Sequence, residues 1–282
     1  LSYVPSQLED INVSQIQMDT KPLQAGDSVL QVGLNYDGIV EYRKTNVDST
    51  EELWINRYNV PQFVDGNIQG TYLVNANSVI DGVLLNSDNK VSALWTTFDE
   101  SDNNGKESNS FKVGMSVDYV NEIMDLAGYN KALYSLDLNL TQIPPVDALQ
   151  MGLSKDWLTK TLQSDVKANK LLAIYNVAAT SSSAKIFKRG DILLAINDTP
   201  VTSFRQVEKL SQLPEVKVTY FSEGRISTAT INPTPLFGHD IKQLFFWSGL
   251  YLHAPHRAAQ IQGNVSSSGL YIASYQYGSP AS

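Results

Sequence analysis

Residues Lys188 to Val201, Lys-Arg-Gly-Asp-Ile-Leu-Leu-Ala-Ile-Asn-Asp-Thr-Pro-Val, constrain the backbone more than any other stretch of the chain. Arg189-Gly190-Asp191 predicts a tight turn, and the unbroken apolar run Ile192 to Ile196 predicts a buried strand. Asn197-Asp198 starts a second turn. Val201 then leads to Ser203, whose hydroxyl suits an N-cap. Phe204, Val207 and Leu210 recur at the spacing of one helical face.

Strand, tight turn, short strand and amphipathic helix in this order resemble a PDZ domain, a module that captures extended peptide ends. Any strand–turn–helix unit gives the periodicity; the wording Gly-Asp-Ile-Leu-x-Ile-Asn carries the specificity. The surrounding residues supply the rest of such a module. Leu133 to Leu140 reads as extended chain with both faces partly apolar. Pro145 to Met151 suits a short helix with Pro near N1 and Gly152 beyond its end, and Ser154 to Leu162 suits another. Leu171 to Val177 is an apolar strand, and Val216 to Phe221 with Ile226 to Ile231 predicts a hairpin around Glu223-Gly224.

The length of 282 residues suits about two domains, and with 42% of residues hydrophobic there is material for ordinary cores. The absence of cysteine excludes disulfides and thiolate zinc sites and fits a reducing compartment. Leu1 is not an initiator methionine and no charged-then-apolar leader follows it, so the chain reads as a piece of a longer protein. The longest apolar stretch, Leu244 to Leu252, is far too short to span a bilayer, so no membrane is expected as partner. Residues 1–120 carry 7 basic and 17 acidic side chains, against 14 and 12 in residues 121–282. The acidic first part repels nucleic acid, and no basic stripe studded with aromatics occurs elsewhere, so no nucleic-acid partner is expected.

Residues 21–98 read as successive strands: Ser28 to Gly33, Gly38 to Tyr42, Glu52 to Ile55, Gly70 to Val74, Gly82 to Asn86 and Lys90 to Thr97. Gly, Asp and Asn between them point to an antiparallel sandwich or barrel. Asp99 to Ser110 holds no apolar residue and reads as an exposed loop. Ser116 suits the cap of a helix with Val117, Val120, Ile123 and Met124 as its apolar positions and Gly128 at its end, a candidate linker.

A β-rich region ahead of PDZ-like modules resembles the HtrA-type serine proteases. There a Gly-Asn-Ser-Gly-Gly nucleophile loop precedes a strand ending in Leu-Asn and a polar turn. Gly82-Val83-Leu84-Leu85-Asn86-Ser87-Asp88-Asn89-Lys90-Val91 matches that strand and turn, which puts Ile80 at the nucleophile position. Isoleucine has no nucleophilic atom. Asp81 replaces the Gly that lets the loop form an oxyanion hole, where a carboxylate opposes the developing charge. All three histidines, His239, His253 and His256, lie outside this segment, so no imidazole is available there to accept a hydroxyl proton. Ser78, the nearby hydroxyl, reads as a turn residue. His253 and His256 are three apart and suit one helical face, but no Asp, Glu or Cys lies beside them as a third ligand. No metal site and no cofactor are expected.

Nearly the whole chain resembles, in order, the fungal pro-apoptotic nuclear HtrA-like proteases. The resemblance rests chiefly on Met151-Gly152-Leu153-Ser154, Pro255-His256-Arg257-Ala258 and Gly278-Ser279-Pro280-Ala281, with Gly26-Asp27 and Arg189-Gly190-Asp191-Ile192 in support. Such proteins hold two protease-like halves, each followed by PDZ-like domains, and only the first half is catalytic. The resemblance implies a mostly β chain with some α: half of a degenerate trypsin-like β-barrel in residues 1–115, a helical linker in 116–130, a PDZ-like domain in 131–236 and an incomplete second one in 237–282. It also implies a nuclear setting and a serine endopeptidase as parent, of which this chain is a non-catalytic, substrate-recruiting part.

Recruitment would proceed by β-augmentation, a peptide adding to a sheet edge. The expected edge strand is Leu133 to Leu138, with Leu133, Tyr134, Leu136 and Leu138 facing Phe204, Val207 and Leu210 of the helix. Leu136 and Val207 fit a core and a groove equally well. The loop Ala132-Leu133-Tyr134-Ser135 lacks the glycines that converge backbone amides on a carboxylate; Ser248-Gly249-Leu250 is a better candidate. The other reading is a scaffold that packs against the catalytic half or another subunit, as in a homo-oligomer, without binding free peptide.

Overall fold

The computed structural model describes residues 16–53, 67–77, 81–101, 108–127, 132–163, 169–178, 181–236, 241–256, 259 and 268–281. These fall into two units. The first comprises Leu1–Thr50, Gly70–Thr97 and Lys112–Gly128, and the second Glu51–Gln69, Phe98–Phe111 and Tyr129–Ser282.

Six antiparallel strands close into a barrel: β1 (Ser28–Leu34), β2 (Val40–Leu53), β3 (Ile68–Leu73), β4 (Asp81–Leu85), β5 (Val91–Ser101) and β6 (Ser108–Ser116), in the order β1-β2-β3-β6-β5-β4. Of the sandwich or barrel expected from these residues, the chain forms a closed barrel. β1 pairs with β2 from Ser28↔Asn46 to Leu34↔Val40, and with β4 from Leu30↔Leu85 to Leu34↔Asp81. Alternation fills the inside: Val29, Leu84, Ala93, Trp95 and Val113 are buried. At the β1–β4 seam Gly33 faces Gly82, and the backbones touch. A Cβ on Gly33 would stand 2.0 Å from the Asp81 carbonyl oxygen, and one on Gly82 2.0 Å from that of Val32.

Two expectations change along these strands. The strands expected at Gly38 to Tyr42 and from Glu52 are one strand, β2, because buried Thr45 and Val47 alternate with exposed Lys44, Asn46 and Asp48 through the polar stretch between them. The loop expected at Asp99 to Ser110 begins and ends as strand: β5 runs to Ser101 and β6 starts at Ser108, with 102–107 outside the described residues. Polar side chains do not forbid main-chain pairing, and the stacked Phe98 and Phe111 rings, 6.1 Å apart, fasten the two arms.

Helix α1 (Asp118–Ala127) follows, its start marked by the Ser116 Oγ accepting from the Asp118 amide at 3.2 Å. Val117 is fully buried just before it. Ile123 and Met124, expected on its apolar face, are exposed. The helix groups with the barrel unit.

The second unit is built on an antiparallel sheet. Its elements in chain order are β7 (Leu133–Ser135), β8 (Leu138–Ile143), α2 (Pro145–Gln150), α3 (Lys155–Gln163), β9 (Leu171–Val177), a 3-10 turn (Ser183–Lys185), β10 (Ile192–Ile196), β11 (Thr199–Pro200), α4 (Phe204–Leu210), β12 (Val216–Ser222), β13 (Arg225–Ile231) and β14 (Thr234–Leu236). The sheet order is β13-β12-β10-β9-β8, with β11 on β10, while β7 pairs separately with β14. The apolar runs of β9 and β10 are continuous because both faces of the sheet are covered. Leu172, Ile174, Leu193 and Ile196 pack with Phe204 and Val207 of α4 on one face. Leu171, Ile192 and Leu194 pack with Ala148 of α2 and Leu153 on the other, flanked by Trp157 and Leu158 of α3.

The turns follow their residues. Asn197-Asp198 has φ of 48° and 63°, and Glu223-Gly224 of 50° and 78°, the double positive φ that two-residue hairpin loops require. Ser203 caps α4: its hydroxyl accepts from the Gln206 amide, and the Gln206 side chain accepts from the Ser203 amide. A separate three-stranded sheet, β15 (Phe245–Trp247), β16 (Leu250–His253) and β17 (Tyr271–Tyr275), ends the chain. Mostly β with some α is the fold of the described residues.

Candidate functional site

Of the expected nucleophile loop, Ser78, Val79 and Ile80 lie outside the described residues. What flanks them is firmly held. Gln31 is fully buried, donates from Nε2 to the Asn77 carbonyl at 2.8 Å and accepts from the Asn77 amide at 2.9 Å. Asn77 also donates to Glu41 at 2.8 Å. Beyond the gap, the Asp81 carboxylate is engaged by the Lys112 ammonium and by the Thr97 hydroxyl at 3.1 Å.

The histidines are not on one helical face. His253 ends β16, its Nδ1 lies 2.7 Å from the Ala254 carbonyl, and its ring packs on those of His256 and Tyr271 at 5.1 and 5.4 Å. No group of three His, Cys, Asp or Glu able to hold a metal occurs among the described residues. A cavity of about 320 Å³ is lined by Tyr175, Val177, Phe187, Lys188 and Arg189, but its cations are spoken for. The Arg189 guanidinium stacks 4.6 Å over Tyr175. Lys188 pairs with Glu223, whose hydrogen bond holds the ammonium above and the carboxyl below their ordinary values.

The peptide-groove residues divide into two sets. Leu136, Leu138, Phe204 and Val207 are buried in one cluster, with Leu210 packed against it. Leu133 and Tyr134 lie on β7, whose outer edge is covered by a side chain. The Tyr134 amide donates to Gln212 Oε1 at 2.9 Å, and Gln212 Nε2 returns a bond to the Tyr134 carbonyl at 3.0 Å. The extended segment expected at Leu133 to Leu138 is therefore two strands. Asp137, at φ 57°, breaks it. Its amide donates to Ser135 Oγ at 3.0 Å, and its carboxylate accepts from the Thr234 hydroxyl at 2.5 Å.

The sheet edge in the same apolar cluster as α4 is β8. Among the described residues it pairs with β9 on one side only. On the other side its main-chain groups point outward at every second residue, Leu138, Leu140 and Gln142, as any edge ladder does. Asn67 Nδ2 donates to the Leu138 carbonyl at 2.7 Å, and its Oδ1 accepts from the Leu140 amide at 2.6 Å. Glu52 Oε2 accepts from the Gln142 amide at 2.8 Å and from the Thr141 hydroxyl at 2.9 Å. Sequence reasoning missed Leu140, Gln142, Asn67 and Glu52, because the last two lie more than seventy residues from the strand they touch. The remaining Glu52 oxygen and Gln142 Oε1 are buried without a donor among the described residues. Each such acceptor costs about 1–3 kcal/mol.

No family model matches the chain. Among curated proteins it is 26% identical over 294 residues to the pro-apoptotic serine protease NMA111 of Scheffersomyces stipitis, covering 100% of this chain and 29% of that protein. It is 22% identical over 315 residues to Protease Do-like 7 of Arabidopsis thaliana, again covering 100% of this chain and 29% of the relative. A PDZ domain-containing protein of Schizosaccharomyces pombe is 24% identical over 286 residues, 100% of this chain and 28% of that protein. The chain thus spans less than a third of the length of these relatives. Among solved structures, the HtrA-type protease AlgW with decapeptide is 12% identical with a TM-score of 0.43, over 79% of this chain and 65% of that one. Along its full length the chain is thus similar in sequence to these proteins, at 22–26% identity.

Proposed function

We propose that this chain is a non-catalytic, substrate-recruiting part of a larger HtrA-like serine endopeptidase, and that it binds extended protein segments along β8 beside α4. One observation carries the reading: β8 is an edge strand with outward main-chain groups at Leu138, Leu140 and Gln142, in the same apolar cluster as Phe204 and Val207. Residues 131–236 are the recruiting module and 237–282 the start of a second. Main-chain bonds supply affinity in such a site and side-chain pockets supply selectivity. An antiparallel segment would bring its C-terminal end to Leu136–Leu138, where the buried Asp137 carboxylate stands. A free terminal carboxylate is repelled there, so the ligands are internal segments. By the same resemblance the parent acts in the nucleus, in cell death.

The scaffold reading has its own support in the deep burial of Leu136, Phe204 and Val207, which serve the core whether or not a peptide arrives. A library of N-acetylated, C-amidated decapeptides separates the two. Sequence-dependent binding to the full chain is expected, and its absence across the library means a scaffold.

A further inference from the structure

We infer that the β8 edge is closed by a clasp within the chain, and that Asn67 and Glu52 must leave before a segment can add. This deepens the recruiting role proposed above and rests on it. The clasp imitates a ligand. The Asn67 side-chain amide presents one donor to the Leu138 carbonyl and one acceptor to the Leu140 amide, two bonds that two residues of an added antiparallel strand would otherwise make. Glu52 takes the next outward amide, that of Gln142. Three outward main-chain groups of the edge, the Leu138 carbonyl and the Leu140 and Gln142 amides, are thereby occupied.

Asn67 suits this task in backbone as well as side chain. Its φ is 70°, a left-handed conformation that Asn tolerates better than most residues. Glu52 lies near the end of β2, and Asn67 immediately before β3. Both belong to the same unit as β8.

The clasp is also an imperfect match. The second Glu52 oxygen and the Gln142 side-chain oxygen are buried in it without donors among the described residues. An incoming strand brings N–H groups and C=O groups in alternation, so it satisfies the edge while Glu52 returns to water. Competition between an internal pseudo-ligand and an external one lowers apparent affinity by the fraction of time the edge is open. Recruitment is thereby tuned from residues outside the PDZ-like module.

The test uses the full chain with Asn67→Gly and Glu52→Ala, singly and together. Glycine removes the amide while retaining access to positive φ. Two readouts are taken: amide hydrogen exchange at Leu140 and Gln142, and affinity for the decapeptide library. In the double variant both amides should exchange at least tenfold faster than in the wild type, and library members should bind at least tenfold tighter and restore protection. Unchanged exchange at Leu140 and Gln142 overturns the clasp. Equal, measurable affinity in wild type and variant also overturns it while leaving recruitment standing. Binding by neither protein removes the recruiting role and the clasp with it. Should the double variant unfold, Glu52→Gln keeps the side-chain shape and replaces the carboxylate by a neutral amide. Faster exchange confined to Gln142 then supports the clasp, and unchanged exchange there opposes it.

Discussion

At the scale of single residues, two contacts in the barrel leave no latitude. Gly33 and Gly82 meet backbone to backbone, and a Cβ on either would overlap the opposite carbonyl oxygen. Gly33→Ala or Gly82→Ala should therefore lower stability by about 1–3 kcal/mol or more, read from the midpoint of a urea titration. Gln31 is a buried amide serving both the N–H and the C=O of Asn77. Gln31→Leu keeps most of the volume but strands both groups and should cost about 2 kcal/mol by the same measurement. An unchanged midpoint would mean that solvent satisfies Asn77 instead. In the PDZ-like sheet, Val207 is only 6% exposed, so Val207→Asp places a carboxylate in the core. It should unfold the module, seen as loss of cooperative melting by circular dichroism. A folded Val207→Asp protein with weakened peptide binding would make Val207 a groove residue instead.

At the scale of elements, the chain repeats one device. Gln31 on Asn77, Asn67 on β8 and Gln212 on β7 each use a side-chain amide as donor and acceptor to main-chain groups. In the last two the amide stands where a further strand would pair. Side chains that mask edges in this way prevent uncontrolled strand addition. Helix α4 depends on its cap: Ser203→Ala should cost about 1 kcal/mol in thermal stability, and an unchanged Tm would mean that packing of Phe204 alone fixes the helix start.

What could be read in the residues sorts along the same line. β10, the turns at Asn197-Asp198 and Glu223-Gly224, and the Ser203 cap follow from neighbours within a few positions, so local chemistry dictated them. The continuity of β2, the break at Asp137 and the strand character at both ends of the 99–110 stretch depend on partners across a sheet. The clasp on β8 joins residues far apart in sequence, and no local pattern announces it. Groove and core are indistinguishable in sequence at Leu136 and Val207, because an apolar face serves either.

At the scale of the whole molecule, the chain has a closed barrel, a two-faced PDZ-like sheet and a small C-terminal sheet. No histidine precedes His239, so the barrel segment supplies no imidazole of its own as a general base. The isolated chain should neither hydrolyse casein nor be labelled by a fluorophosphonate. Ile80→Ser should leave both results unchanged, for want of a general base. Time-dependent cleavage by protein freed of contaminants would refute this. The proposed recruiting site is tested most directly by titrating the isotope-labelled chain with acetylated, amidated decapeptides and following its amide resonances. Saturable shifts centred on Leu138–Gln142 and Phe204–Leu210 are the expected result. Sequence-dependent binding that leaves those residues untouched, or no such binding at all, would contradict it.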